Sequence, residues 1–363
     1  MKQMDNLSVF QVAMLVSNAM LGVGLLTLPR TITAEIDSPD GWIVLIIDGI
    51  LAILFALLVL YFFKKHQVKD IFQYTREGFG LWISKAIQLF IILYFMGVAS
   101  FEAVAMSEMV RFFLLSTTPV QVVILTLICL SAYLVLGMLQ SITKVFSVFL
   151  PLAIVELFLI YFFSIKSIDI ENIKPILGDG FSPIFKGINS VILSFIGVEI
   201  FLVISAFSKN RQNLKKGLII GFAIPLILYI TTYVLVVSGL SEQEVKAVTW
   251  PTISFVQSFE VRGIFIERFE SFLLTTWILQ FFTTTSMYYY LAAYGMTHVF
   301  KTTFKTNVLI LLPLLFLLAC VPSNTLEIIQ MSTIVGKMFQ IVFLVIPIAT
   351  FLTVALKRKL IKL

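Results

Sequence analysis

The stretch Asn18-Ala19-Met20-Leu21-Gly22-Val23-Gly24-Leu25-Leu26-Thr27-Leu28-Pro29-Arg30 lies inside the first long apolar run of the chain. Two glycines separated by one residue fall near its middle. Each glycine costs a helix interior about 0.5–1 kcal/mol relative to alanine, and Asn18 adds a polar group just upstream. Together they predict a helix that breaks in mid-span. Irregular backbone at membrane depth persists only where it is buried in protein or lines a cavity. The stretch therefore predicts a cavity that holds a small ligand, framed by the rest of the chain. A second account needs no ligand, because small residues also let neighbouring helices approach closely. A nucleotide-binding glycine loop is excluded, since no strand precedes the pair and no Lys-Ser/Thr follows it.

The surroundings of this stretch are those of a membrane protein. The chain has 363 residues, 59% hydrophobic and 13% charged, where soluble domains carry about a quarter charged residues. It reads as an all-α integral membrane protein, one membrane domain over 1–363 with no separate soluble domain. Cys129 and Cys320 lie in apolar runs and give neither a disulfide framework nor metal-ligand spacing. His66 and His298 each sit beside a basic span end and do not combine into a metal site. No cofactor and no metal are expected. The apolar run after Lys2 is too long and too polar for a cleaved leader and reads as a retained first span.

Ten apolar runs approach the roughly 20 residues that cross a bilayer. They cover 8–33, 41–63, 84–115, 120–139, 144–164, 187–208, 213–239, 268–297, 305–321 and 331–356. The third is longer than a crossing needs and must tilt or protrude. With the N-terminus inside, 17 of the 26 Lys and Arg residues fall on the cytoplasmic side, including Lys64, Lys65, Lys69, Lys215, Lys216 and Lys357. Acids such as Glu35, Asp37, Asp40, Asp179 and Glu242 collect outside. Both termini are therefore expected in the cytoplasm. The net charge of +6 is explained by this topology and calls for no nucleic acid.

Five spans in 1–164 and five in 187–356 make two repeats of opposite orientation, a 5+5 inverted repeat. The sixth span should then carry its own break, and Ser194-Phe195-Ile196-Gly197-Val198-Glu199 supplies one. Amphipathic segments at 70–77 and 252–260 precede the third and eighth spans and are expected to lie along the membrane surface. Breaks at matching places of inverted halves point to a binding site at the midplane. That favours the cavity over simple close packing.

The chemistry of the two breaks suggests the ligand. The second half of span one starts near Val23, where unpaired N–H groups and the helix dipole suit a carboxylate. The first half of span six ends near Phe195 and leaves carbonyls that suit an ammonium. An α-amino acid presents both groups. Asn18, Gly22, Val23, Gly24, Phe195, Ile196 and Gly197 are the candidate ligand-binding residues of the breaks. Tyr94, Val98 and Glu102 share one face of span three at i, i+4 and i+8. Tyr94 and Val98 join the ligand set, although ordinary packing also accounts for either alone. Thr284 and Tyr288 share a face of span eight and are placed near the ligand or a cation. For the serine and threonine hydroxyls of this span the alternative is bonding back to their own helix.

Five acids, Asp48, Glu102, Glu108, Glu156 and Glu199, lie within spans, where carboxylates are costly and usually functional. Glu102, Glu156 and Glu199 are assigned to a proton or water path. Glu199 has a structural alternative at the start of the second half of span six, and Glu108 is spaced to pair with Arg111. No catalytic constellation appears, and an enzyme is set aside.

Met20-Leu21-Gly22-Val23-Gly24-Leu25-Leu26-Thr27-Leu28-Pro29-Arg30 and Pro39-Asp40-Gly41-Trp42 resemble the B subunit of bacterial spore germinant receptors. So do Gly97-Val98-Ala99-Ser100-Phe101-Glu102, Trp250-Pro251-Thr252 and Phe265-Ile266-Glu267-Arg268-Phe269-Glu270-Ser271-Phe272. The resemblance runs the whole length, and the last two segments make it sharp. It implies an amino acid–polyamine–organocation superfamily fold, LeuT-like, with helices one and six broken. It implies a multi-pass subunit of the spore inner membrane that binds a nutrient germinant beside A and C subunits and triggers germination. The alternative is a secondary amino acid transporter, proton- or cation-coupled. Proton-coupled permeases of the superfamily often carry a lysine in mid-span five. Here Lys144 lies at the inner end and Glu156 in the middle, which favours a sensor.

Overall fold

The computed structural model describes residues 6–178, 180–258 and 269–361. Asp179, Phe259, Glu260 and the 265–268 part of the family-like segment lie outside these residues. Helices fall in each of the ten apolar stretches. The first stretch holds α1 (Val9–Met20) and α2 (Gly24–Ile36), bent by 55° across residues 21–23. Then follow α3 (Gly41–His66), α4 (Ile71–Phe113), α5 (Val120–Leu136) and α6 (Met138–Ser164). The sixth stretch begins with α7 (Ser182–Val191) and a 3₁₀ turn to Phe195. It resumes after Ile196-Gly197 as further 3₁₀ turns around the single turn α8 (Phe201–Ile204). The rest comprises α9 (Arg211–Leu240), the short α10 (Glu242–Ala247) and α11 (Pro251–Ser258), α12 (Phe269–Phe300), α13 (Phe304–Ala319), α14 (Thr325–Gln340) and α15 (Ile346–Ile361).

Among the described residues, five helices are long and apolar enough to cross a membrane, or seven if each bent pair counts as one span. The shorter apolar pieces are Val120–Leu136 and Val198–Phe207. The surface agrees with a membrane setting. Large apolar side chains such as Phe112, Tyr133, Phe158, Phe185 and Leu317 are exposed over many helices. A soluble monomer does not expose apolar surface on this scale.

Local chemistry sets where the helices begin. Ser8 and Gln11 form a reciprocal capping box at α1, with Ser8 N–H donating to Gln11 Oε1 at 2.9 Å and Gln11 N–H to Ser8 Oγ at 3.2 Å. Asp70, Asn210, Thr303 and Asn324 cap α4, α9, α13 and α14 through their side-chain oxygens. Each such cap contributes about 1 kcal/mol. The segment expected to lie on the membrane surface before span three is continuous with α4, and Gly80 (φ +77) divides the two. The last span starts earlier than its apolar pattern, at Thr325, and carries a π-helical turn over Ile341–Val345. The second half of span six is mostly 3₁₀ rather than α-helix.

Two packings dominate the interior. α4 lies along α12, and α1 lies along α9. The first brings Tyr94, Val98 and Glu102 inward. The second sets the broken first stretch against a continuous helix. The segment before α1 is also pinned: Leu7 N–H donates to Phe207 O at 2.9 Å, and Asn6 pairs with Ser208 in an antiparallel bridge.

Candidate functional site

The first break forms without left-handed backbone. Leu21 has φ −80 and ψ 9, and Val23 has φ −57 and ψ −25. The glycine pair therefore acts through size. A Cβ on Gly22 would fall 2.4 Å from Glu102 Oε1, and one on Gly24 would fall 3.3 Å from the Tyr229 hydroxyl. Carbonyls at the break take donors from other helices. Thr284 Oγ1 donates to Asn18 O at 3.0 Å, Trp277 Nε1 to Gly22 O at 3.1 Å, and the Tyr229 hydroxyl to Met20 O. Asn18 Nδ2 donates to Met14 O at 2.8 Å and to Phe146 O at 3.3 Å, tying α1 to α6. A buried carbonyl left without such a partner costs about 1–3 kcal/mol, so α9 and α12 hold the break open at little net cost.

The start of α2 is occupied by a carboxyl group of the chain itself. Val23 N–H donates to both carboxylate oxygens of Glu102, at 3.3 and 3.2 Å. This is the helix end at which the sequence analysis expected a ligand carboxylate, and the chain's own carboxylate stands there. Glu102 is thus part of the break itself.

The second break lies directly on the first. Gly197 has φ +116, and a Cβ there would sit 2.6 Å from the carbonyl carbon and oxygen of Ala19 and from Met20 N. Both the conformation and the close backbone approach demand glycine. Beyond it, Glu199 is fully buried. Its Oε1 accepts the Tyr94 hydroxyl at 2.7 Å and the Tyr288 hydroxyl at 2.6 Å, and its Oε2 accepts Gly197 N–H at 2.8 Å. Three residues selected from three different spans thereby close one hydrogen-bonded cluster.

Between the breaks is a cavity of ≈ 60 Å³. Val23, Gly24, Val98, Glu102 and Ile196 line it, all of them candidates from sequence. Ala19, Met20, Phe101, Ser194 and Val335 complete the lining, and sequence reasoning did not find them. Asn18, Gly22, Tyr94, Phe195, Gly197, Thr284 and Tyr288 stand behind the lining. Phe195 stacks on Phe222 with ring centroids 5.3 Å apart, and the others shape the breaks as described. Glu156 is buried on α6 and does not line the cavity. Glu108 pairs with Arg111 at 2.8 Å, as its spacing predicts.

Trp277 and Tyr229 were also missed. Each is a buried aromatic with a polar tip in mid-span, a residue type that needs a partner inside the protein, and that was the available signal. α2 is tied to neighbouring elements at its start and just past its end. Thr252 Oγ1 donates to Leu25 O at 2.9 Å, and Lys246 of α10 bonds both Asp37 and Glu242. Hydrogen bonding from Lys246, and its charge, hold the exposed Asp37 carboxyl below its usual range.

Comparison with known proteins is direct. The family described as "Spore germination protein" matches residues 6–328. The chain is 45% identical over 354 residues to spore germination protein A2 of Bacillus subtilis (strain 168), covering 98% of this chain and 97% of that one. It is 34% identical over 338 residues to spore germination protein YndE of the same organism, covering 93% of each. The structure of MhsT in complex with L-phenylalanine matches with a TM-score of 0.70 at 10% identity, over 97% of this chain and 99% of that one. At that identity the likeness concerns the fold, which is that of the LeuT-type transporters.

Proposed function

Because the chain belongs to the spore germination protein family, we propose that it is the nutrient-sensing subunit of a germinant receptor. The nutrient, an amino acid, binds between the two breaks and triggers germination. The observation that carries this reading is the contact of Gly197 with the Ala19–Met20 backbone beside the cavity lined by Val98, Glu102 and Ile196. A ligand in that cavity touches both broken spans at once. Any movement of one break relative to the other then depends on its presence. Val98 and Ile196 supply apolar walls for a side chain, and the buried cluster of Tyr94, Tyr288 and Glu199 keeps the second break in place.

The reading includes a ten-span topology, two inverted five-span repeats, both termini in the cytoplasm and residence in the spore inner membrane. A and C subunits are its partners. Its test is genetic. Val98→Phe and Ile196→Phe shrink the cavity without touching the hydrogen bonds of either break. Spores carrying them, with normal protein levels, should change which nutrients trigger germination. Unchanged nutrient preference and sensitivity would refute the site.

The transporter fold supports a second reading, secondary transport of an amino acid. Purified protein in liposomes would then accumulate a bound amino acid under an imposed proton or sodium gradient. Binding without accumulation decides for the sensor.

A further inference from the structure

We infer that the cavity recognises the amino group of its ligand through the carboxylate of Glu102, and that a ligand carboxylate is dispensable. The inference rests on the ligand-binding reading above and deepens it. The anion-attracting start of α2 is already filled, since both Glu102 oxygens accept Val23 N–H at 3.2–3.3 Å. A ligand carboxylate entering there would have to displace the Glu102 carboxyl group from Val23 N–H. Among the described residues that line the cavity, Glu102 is the one charged side chain, and none is a Lys, Arg or His that could receive an anion.

Glu102 is 5% exposed, and none of the ion pairs among the described residues involves it. An unpaired buried carboxylate is expensive, so Glu102 carries its charge at least cost when a well-placed ammonium and the Val23 N–H accompany it. A carboxylate presents about four lone-pair sites, so one shared N–H leaves capacity for an ammonium. Gly22 completes the arrangement. With a Cβ the residue would intrude to 2.4 Å of Oε1 and 2.7 Å of Oε2, so glycine is what allows the carboxylate to rest against the break. Val98 lies one turn before Glu102 and lines the same cavity, which sets an apolar wall beside the charge. The favoured class is therefore a small primary amine with an apolar substituent, amino acids included.

The test uses the purified full-length protein and its thermal stabilisation by ligands. The twenty common amino acids are screened first. The most stabilising one is then compared with its α-amide, which keeps the amino group and loses the carboxylate, and with its deaminated acid, which does the reverse. The amide should bind within about tenfold of the parent, and the deaminated acid should give no shift. Glu102→Gln, nearly identical in shape, should weaken the parent and the amide at least tenfold. The inference is overturned if the deaminated acid binds and the amide does not, or if Glu102→Gln binds the parent as tightly or more tightly. The comparison of amide and acid on the unmodified protein decides the matter even if the variant fails to fold. Absence of any stabilisation across the screen would refute the ligand-binding reading and the inference with it. Binding of the parent with loss of the amide would refute the inference alone.

Discussion

Replacing Gly197 by alanine separates two costs that the structure places on one residue. The first is conformational. Gly197 holds φ +116, and a non-glycine residue in such a sparsely populated region costs about 1–3 kcal/mol. The second is steric. The new Cβ would lie 2.6 Å from three backbone atoms of Ala19 and Met20, which cannot swing aside as a side-chain tip can. Overpacking of this kind costs about 1–3 kcal/mol. The expected destabilisation of Gly197→Ala is thus about 2–6 kcal/mol. Gly80 provides the control. It also has positive φ, at +77, but a Cβ there meets nothing within 4 Å. Gly80→Ala should therefore carry the conformational cost alone, about 1–3 kcal/mol. Denaturant unfolding of both variants in the same mixed micelles measures the difference. If Gly197→Ala is no more destabilised than Gly80→Ala, the two breaks are not in backbone contact and the account of the site fails.

Further outcomes are expected at the same breaks. Trp277→Phe removes the donor to Gly22 O and should destabilise the protein by about 1–3 kcal/mol, read by the same unfolding assay; a neutral effect would mean the break needs no help from α12. Tyr94→Phe and Tyr288→Phe each remove one donor to Glu199. The double variant should depart from the sum of the singles by about 0.5–3 kcal/mol, and strict additivity would dissolve the proposed cluster. Asp37→Asn tests the exposed pair with Lys246. Because the Asp37 carboxyl is lowered in the folded state, any stability it contributes is present above its ordinary pKa and is lost as pH falls through the lowered value. Wild type and variant should thus converge at acid pH, and a gap that widens on acidification would contradict the pairing.

Much of the fold was legible because it rests on periodicity. The apolar runs located the helices, and the glycine pair and Gly197 located both breaks. The stripe Tyr94, Val98, Glu102 was legible because a helix must place i, i+4 and i+8 on one face. The mechanism at the first break was legible only as one of two readings. Sequence offered both glycines that unwind a helix and small residues that let neighbours approach closely; the backbone at Leu21 and Val23 stays in ordinary regions, and Gly22 matters for the space it leaves beside Glu102, as in the second reading. The meeting of Glu102 with Val23 was hidden for a related reason. It depends on how far α4 slides along its neighbours, and no local pattern encodes that register. Val335 reached the cavity from the last span with nothing in its surroundings to distinguish it from any lipid-facing valine.

The pairing of Leu7 with Phe207 gives the second break a mechanical outlet. From Gly197 to Phe207 the chain runs through tightly wound, largely buried turns, a strut of about 15–20 Å at a rise of 1.5–2 Å per residue. Its near end abuts the Ala19–Met20 backbone and its far end is stitched to the residues just before α1. The first broken span and the strut therefore form a closed loop of contacts, touching at both ends. A push at the cavity is carried along this loop to Asn6 and Leu7, so that pair is the place to attach a reporter of what happens at the centre.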